Sequence, residues 1–134
     1  MLVFIDTVVL LDVWLGREPH LESSGALLDW AESNPGMASV SWHGLANLHY
    51  LSAHGAESFI RELLVFCVIP PAGTTEMLRA LKLGFKDLED AMQTAVALRF
   101  GAQVIATRNT RNYRKSPISV KTPKELLREF REFA

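Results

Sequence analysis

The chain has 134 residues, of which 49% are hydrophobic and 22% are charged. This length and composition predict one globular domain built around a single core and exclude a membrane protein. No apolar run approaches the ~20 residues that span a bilayer. The apolar start at residues 1–5 ends at Asp6, too early for a signal peptide, and no basic segment precedes it. We therefore expect a cytoplasmic protein.

The formal net charge of −1 conceals a strong segregation of charge along the chain. Residues 1–98 hold 5 Lys and Arg against 12 Asp and Glu, a balance of −7. Residues 99–134 hold 9 against 3, a balance of +6. A segregated distribution can present a basic surface to nucleic acid. Solvation of a C-terminal helix by Lys and Arg explains the same pattern, and the charge alone leaves both interpretations open.

Short apolar runs alternate with segments of helical periodicity along the chain. In order, we predict a strand at 2–5, helices at 8–15 and 21–31, a strand at 37–40, helices at 42–53 and 56–64, a strand at 66–69, helices at 75–83 and 87–100, strands at 103–106 and 118–120, and a helix from 122. This alternation is typical of a parallel sheet covered on both faces. The predicted fold class is a three-layer α/β/α domain.

Three local signals refine these elements. The single cysteine, Cys67, lies in an apolar run typical of a buried strand, so we expect a structural thiol. One cysteine also excludes a disulfide framework and a cysteine-based zinc site. The run Thr122–Pro123–Lys124–Glu125 is a helix start, with Thr122 as N-cap and Glu125 as its capping-box partner. Asp87 is likewise placed to cap the helix that follows it.

Polar residues follow the predicted strands at the points where those strands end. Ligands of open α/β sheets bind beyond the carboxyl ends of the strands, where the first turns of the helices also lie. Asp12 and Asp29, inside or late in helices, are expected elsewhere. At the ligand-binding edge we expect Asp6, Asn47, Asp87, Asp90, Thr107, Arg108, Asn109 and Asn112.

Asp6 and Asp90 are the main candidates for a functional site. A carboxylate that ends an apolar strand is costly to desolvate without a partner, although Asp6 also suits an N-cap. Asp90 opens a helix that is apolar on most sides, so it needs a partner too. That partner is either a metal ion shared with Asp6 or the side chain of Arg108.

A cation held by two carboxylates would be Mg²⁺ or Mn²⁺, because the ligands are oxygens. Such an ion activates water and neutralises charge on a phosphate. Basic residues beside the same edge could follow a nucleic-acid backbone, with Tyr113 available for base stacking. These basic residues are Arg108, Arg111, Arg114 and Lys115. Together the features point to phosphodiester hydrolysis.

Four segments, in this order, resemble the PIN (PilT N-terminal) domain family, which includes VapC-type toxin ribonucleases. They are Phe4-Ile5-Asp6-Thr7, Asp87-Leu88-Glu89-Asp90-Ala91-Met92-Gln93, Thr107-Arg108-Asn109-Thr110-Arg111-Asn112-Tyr113 and Pro117-Ile118-Ser119-Val120-Lys121-Thr122-Pro123. The resemblance implies a parallel sheet ordered 3-2-1-4-5 and RNA cleavage with Mg²⁺ or Mn²⁺. It also implies a homodimer and an antitoxin partner.

Carried over residue by residue, the resemblance makes Asp6 the first and Asp90 the third acid of the family's metal site. Asn47 stands where the second acid is usual, and Asn112 stands where an acid usually precedes the aromatic residue. Asn109 falls where the family has Asn or Asp. Val8 replaces the usual Asn after the opening Asp-Thr.

This departure has a physical consequence, because an amide oxygen can coordinate a metal but adds no negative charge. Two carboxylates would hold one cation weakly, aided by Asp87 or by the substrate phosphate. The sequence therefore leaves two hypotheses: a metal-dependent ribonuclease of the toxin type, and a catalytically impaired PIN module that binds RNA or a protein partner.

Overall fold

Five parallel strands form one sheet at the centre of the fold, in the order β3-β2-β1-β4-β5. The computed structural model describes residues 1–132. The strands are β1 Val3–Ile5, β2 Ala38–Ser39, β3 Cys67–Val68, β4 Val104–Ala106 and β5 Ser119–Lys121. The predicted fold class and strand order are confirmed.

Helices connect the strands and cover the sheet. They are α1 Thr7–Trp14, α2 Leu21–Ser33, α3 Trp42–Leu51, α4 Glu57–Phe66, α5 Thr74–Lys82, α6 Leu88–Phe100 and α7 Pro123–Glu132, with a short 3₁₀ turn at Thr110–Tyr113. None of these helices, within residues 1–132, has the length and apolar character of a membrane span. The sequence did not predict the 3₁₀ turn.

The side chains of β1 alternate between the two faces of the sheet, and each face packs against helices, which gives three layers. Val3 and Ile5 point into the larger core with α1, α2, α3, α4 and α7, whereas Phe4 points into a second core with α6 and Tyr113. All three β1 side chains are fully buried. Because successive side chains of a strand face opposite sides, a strand buried on both faces is apolar at every position.

Phe66 lies in a different element from the one that the sequence predicts. The sequence predicts that Phe66 opens the third strand, but it is the last residue of α4, and β3 begins at Cys67. Phe59, Leu63 and Phe66 are all buried and recur at helical spacing, so the amphipathic face of α4 extends two residues beyond the predicted end.

The local signals are confirmed. Burial raises the pKa of the Cys67 thiol to about 12, which keeps it protonated and unreactive. Thr122 and Glu125 form a reciprocal capping box, since the Thr122 N–H donates to Glu125 Oε1 at 3.0 Å and the Glu125 N–H donates to Thr122 Oγ1 at 3.1 Å. Asp87 caps α6 by accepting from the Glu89 N–H at 2.9 Å.

Candidate functional site

The register of the central strands places Asp6 beside Thr107. Ile5 pairs with Ala106, and the Asp6 N–H donates to the Ala106 carbonyl at 3.0 Å, so the next residue of each strand lies at the same edge. The Thr107 hydroxyl then donates to Asp6 Oδ2 at 2.6 Å. Both residues are buried. The predicted gathering of polar residues at the carboxyl edge thus begins with the pairing of β1 and β4.

Asp6 has a second role as the N-cap of α1, where its Oδ1 accepts from the Val8 N–H at 3.4 Å. The same oxygen accepts a shorter bond, 2.8 Å, from Gln93 Nε2 on α6. Asp6 is therefore held by donors from three parts of the chain, and none of these donors is charged. Capping and participation in the site coexist, as the sequence allowed.

Asp90 lies in the first turn of α6, is 9% exposed, and faces the same cleft as Asp6. Its Oδ1 accepts from the Tyr113 hydroxyl at 3.3 Å, whereas its buried Oδ2 has no hydrogen-bond partner among the described residues. Burial, followed by the charges of Asp6 and Asp87, raises the pKa of Asp90 from its usual 3.8 to about 6. This carboxyl group is held in an unfavourable environment that a cation would relieve.

The cleft at this edge has a volume of about 430 Å³. The acids and amides that line it are Asp6, Asn47, Asp87, Glu89, Asp90, Asn109 and Asn112. The structure therefore brings the three predicted acids and the three predicted amides to a single cleft. It also adds Glu89, which the sequence pattern did not single out.

Glu89 faces Asn47 across the cleft, and Asn47 Nδ2 donates to Glu89 Oε2 at 2.9 Å. Burial raises the pKa of Glu89, and the charges of Asp87 and Asp6 raise it further. The helix α3 thus contributes a hydrogen-bond donor at the place where the family resemblance implies an acid. The additional negative charge comes instead from the first turn of α6.

The residues present fit one divalent cation better than two. Asp90, whose buried Oδ2 has no partner among the described residues, lines the cleft with Asp6, and carboxylate oxygens are the ligands that Mg²⁺ and Mn²⁺ prefer. Within residues 1–132, however, no three side chains of His, Cys, Asp or Glu stand close enough together to surround an ion. A single cation at Asp6 and Asp90 would need water or substrate oxygens to complete its coordination.

Arg108 does not pair with Asp90. Its Nε donates to Asp12 Oδ2 at 2.8 Å and its Nη2 donates to Asp12 Oδ1 at 3.3 Å. The Nε of Arg17 also lies 3.0 Å from Asp12 Oδ1. Asp12 is fully buried and lies outside the acidic cleft, as the sequence predicts. It nevertheless holds the loop that carries the site residues after β4.

A second cavity, of about 510 Å³, adjoins the acidic cleft on the side of Asp90. Its basic lining consists of Lys86, Arg111, Arg114 and Lys115. Three of the four predicted basic residues therefore lie beside the acids, and Lys86 joins them. Tyr113 is only 2% exposed, so the prediction that it is available for base stacking is wrong. Its ring packs edge-on against Phe85 instead.

Sequence reasoning missed the roles of Glu89, Gln93 and Asp12. Glu89 and Gln93 lie within the α6 segment that carries the family resemblance, and their spacing around Asp90 was the available signal. Gln93 is 1% exposed, and a glutamine among the apolar residues of a buried helix indicates a specific partner. Asp12 gave a comparable signal, as an acid within an apolar helix.

A sequence model of the PIN domain family matches residues 2–111, so this chain belongs to the PIN domain family. A toxin-antitoxin complex from Klebsiella pneumoniae is similar in structure, with a TM-score of 0.66 and 24% identity over 90% of this chain and 97% of that chain. FitAcB from Neisseria gonorrhoeae has a TM-score of 0.62 at 18% identity, covering 92% and 99%.

A structure of FitAB bound to an IR36 DNA fragment has a TM-score of 0.60 at 17% identity, covering 91% of this chain and 95% of that chain. At these identities the similarity establishes the fold. The search of curated proteins finds no match to this sequence.

Proposed function

We propose that this protein is a divalent-metal-dependent ribonuclease of the toxin type, which hydrolyses RNA phosphodiesters at the cleft between Asp6 and Asp90. The observation that carries the proposal is the buried Asp90 Oδ2, which has no hydrogen-bond partner among the described residues and belongs to a side chain that lines the cleft with Asp6. A buried carboxylate oxygen with no donor is unfavourable unless a ligand completes its environment.

Asp6 and Asp90 would hold Mg²⁺ or Mn²⁺, and Asp87 lines the same cleft. When bound, such an ion lowers the pKa of water and neutralises charge that develops on a phosphate. Thr107 and Gln93 orient the Asp6 carboxylate, because each donates to a different oxygen of it. Tyr113 would orient Asp90 in the same way, because it donates to Oδ1 and leaves Oδ2 without a donor among the described residues.

The substrate would approach through the adjoining basic cavity. Arg111, Arg114 and Lys115 lie beside Asp90 and would contact phosphates on either side of the scissile bond. Arg108 is not included in this contact surface, because both of its bonded nitrogens donate to Asp12. The positive charge of residues 99–134 would thereby offset the repulsion between RNA and the acidic remainder of the chain.

We further propose an antitoxin protein as a partner, a homodimer as the assembled form and the cytoplasm as the site of action. Support comes from the family membership and from similarity to a structure described as a toxin-antitoxin complex.

The test combines Mn²⁺ calorimetry with cleavage of a mixed set of RNAs, on the wild type and on Asp6→Ala and Asp90→Ala. We expect cation binding and cleavage in the wild type and neither in the two variants. Asp29→Ala is the matched control, since Asp29 is exposed on α2 away from the cleft and should change nothing. Cleavage that persists in both site variants would refute the proposal.

A second candidate function is supported by the amides in the cleft and by the absence, within residues 1–132, of a three-acid cluster. In this alternative the protein is a PIN module that binds RNA or a protein without cutting. It predicts no turnover at any Mn²⁺ concentration, together with RNA binding that weakens as salt rises. Absence of both turnover and RNA binding would leave a protein partner.

A further inference from the structure

Gln93 lies at the centre of a buried hydrogen-bond network that links the two aspartates. Its Oε1 accepts from both the backbone N–H and the hydroxyl of Thr7, each at 3.2 Å. Because a backbone N–H can only donate, the oxygen end of the Gln93 amide must face Thr7. The nitrogen end therefore faces the carboxylates.

The two hydrogens of Gln93 Nε2 have separate acceptors. One goes to Asp6 Oδ1 at 2.8 Å and the other to the Tyr113 hydroxyl oxygen at 3.2 Å. Since the phenol accepts from Gln93, its own hydrogen is free to donate to Asp90 Oδ1 at 3.3 Å. Neutral donors thus connect Asp6 to Asp90 through two side chains.

We propose that Gln93, acting together with Tyr113, is a positioning residue that fixes the Asp6 and Asp90 carboxylates in the arrangement that receives the cation. This inference rests on the proposed function, because it assumes that a divalent cation binds between these acids. Two buried carboxylates repel each other, and donors shared between them hold them in place before the cation arrives. The network engages Oδ1 of each acid and leaves Asp90 Oδ2 without a hydrogen-bond partner among the described residues.

A structural role alone would have a different effect. If Gln93 served only to satisfy buried polar groups, its replacement would lower stability without altering cation affinity in the folded protein. If it positions the acids, affinity falls even at temperatures where the protein is fully folded. Partners that orient metal ligands typically contribute about 10- to 100-fold to affinity.

The experiment measures the Mn²⁺ dissociation constant by calorimetry, well below the unfolding temperature, for the wild type, Gln93→Met and Tyr113→Phe. Gln93→Met keeps the length of the side chain and removes its donors and acceptor. Tyr113→Phe removes one hydroxyl and serves if Gln93→Met does not fold. Gln103→Met is the matched control, because Gln103 accepts from the Leu2 N–H at 2.9 Å at the other end of β4.

We expect both site variants to bind Mn²⁺ at least about tenfold more weakly than the wild type, and Gln103→Met to bind it equally well. Wild-type affinity in Gln93→Met and Tyr113→Phe would overturn the positioning role and leave the proposed function intact. A wild type that binds no Mn²⁺ would overturn the proposed function, and the positioning role with it.

Discussion

Asn47 on α3 and Glu89 on α6 meet across the mouth of the acidic cleft, with Asn47 Nδ2 donating to Glu89 Oε2 at 2.9 Å. The bond counteracts the rise in the pKa of Glu89 that burial, Asp87 and Asp6 cause. The family resemblance implies an acid at position 47. This position instead holds an amide that stabilises the Glu89 carboxylate on the opposite helix. A carboxylate at position 47 would face Glu89 directly.

Asn47→Glu is therefore expected to lower the unfolding temperature in the absence of divalent cations. Two carboxylates replace a hydrogen-bonded pair at a site open to solvent, a change of about 0.5–1 kcal/mol. Mn²⁺ should bind more tightly than in the wild type and reverse the loss. Thermal unfolding with and without Mn²⁺ measures both effects, and adding Glu89→Gln should abolish the cation-free destabilisation. An unchanged unfolding temperature would contradict the prediction.

Asp90→Asn is expected to stabilise the cation-free protein at neutral pH. The pKa of Asp90 is about 6 in the folded protein against 3.8 ordinarily, so the folded state binds a proton more tightly than the unfolded chain. The free energy of unfolding of the wild type therefore falls as the pH rises from about 4 to about 6. Removing the ionisable group removes that loss.

Urea unfolding of the wild type and Asp90→Asn at pH 4 and pH 7, with divalent cations chelated, provides the measurement. We expect near-equal stability at pH 4 and an advantage for the variant of about 1–2 kcal/mol at pH 7, after allowance for solvent screening. Added Mn²⁺ should stabilise the wild type alone. If the variant were no more stable than the wild type at pH 7, burial and the neighbouring acids would not destabilise the ionised Asp90 as predicted.

Asp12→Asn is expected to destabilise the protein by about 2–4 kcal/mol, because it removes the charge that pairs with two arginines in a buried position. Asp12 is fully buried, and Arg108 donates to both of its oxygens. Arg108→Met should be less damaging, since Arg17 still pairs with Asp12. Urea unfolding with Asp29→Asn as the exposed control checks the order, and equal effects in all three variants would contradict it.

Replacing Arg111 and Arg114 with alanine should weaken RNA binding most at low salt. Removing one basic side chain that contacts a phosphate makes the negative slope of log affinity against log salt shallower by about 1. The double variant should therefore make the slope shallower by about 2. The measurement is made in an Asp90→Asn background to prevent cleavage. Replacing Lys124 and Arg128 on α7, which line a separate groove beside α2, provides the control. Equal slopes in both double variants would argue against the basic cavity as the RNA path.

Much of the site was predictable because the fold places strand ends and helix starts at one edge. Asp6, Asp87, Asp90 and Asn109 all occupy the predicted cleft. The positions follow from chain direction alone, since parallel strands end together. Capping by Asp87 was predictable for a different reason, because a cap depends only on residues two or three apart in the chain.

The hydrogen-bond partners were not predictable in this way. Arg108 is a candidate partner for Asp90 by sequence, yet it pairs with Asp12, 96 residues away along the chain. Tyr113 is a candidate stacking surface by sequence, yet the 3₁₀ turn carries it into the smaller core. Both outcomes depend on side-chain orientation in the folded structure. The spacing of residues along the sequence does not determine that orientation.

The layered architecture and the edge at which the acids collect can be derived from the order of the residues, because apolar periodicity, caps and chain direction act over a few residues. Which donor serves which carboxylate depends on how the elements pack in three dimensions. Gln93 meets Asp6 across 87 positions of sequence, and Thr107 meets it across 101. Such contacts exist only once the sheet register and the packing of α6 bring distant side chains within hydrogen-bond reach.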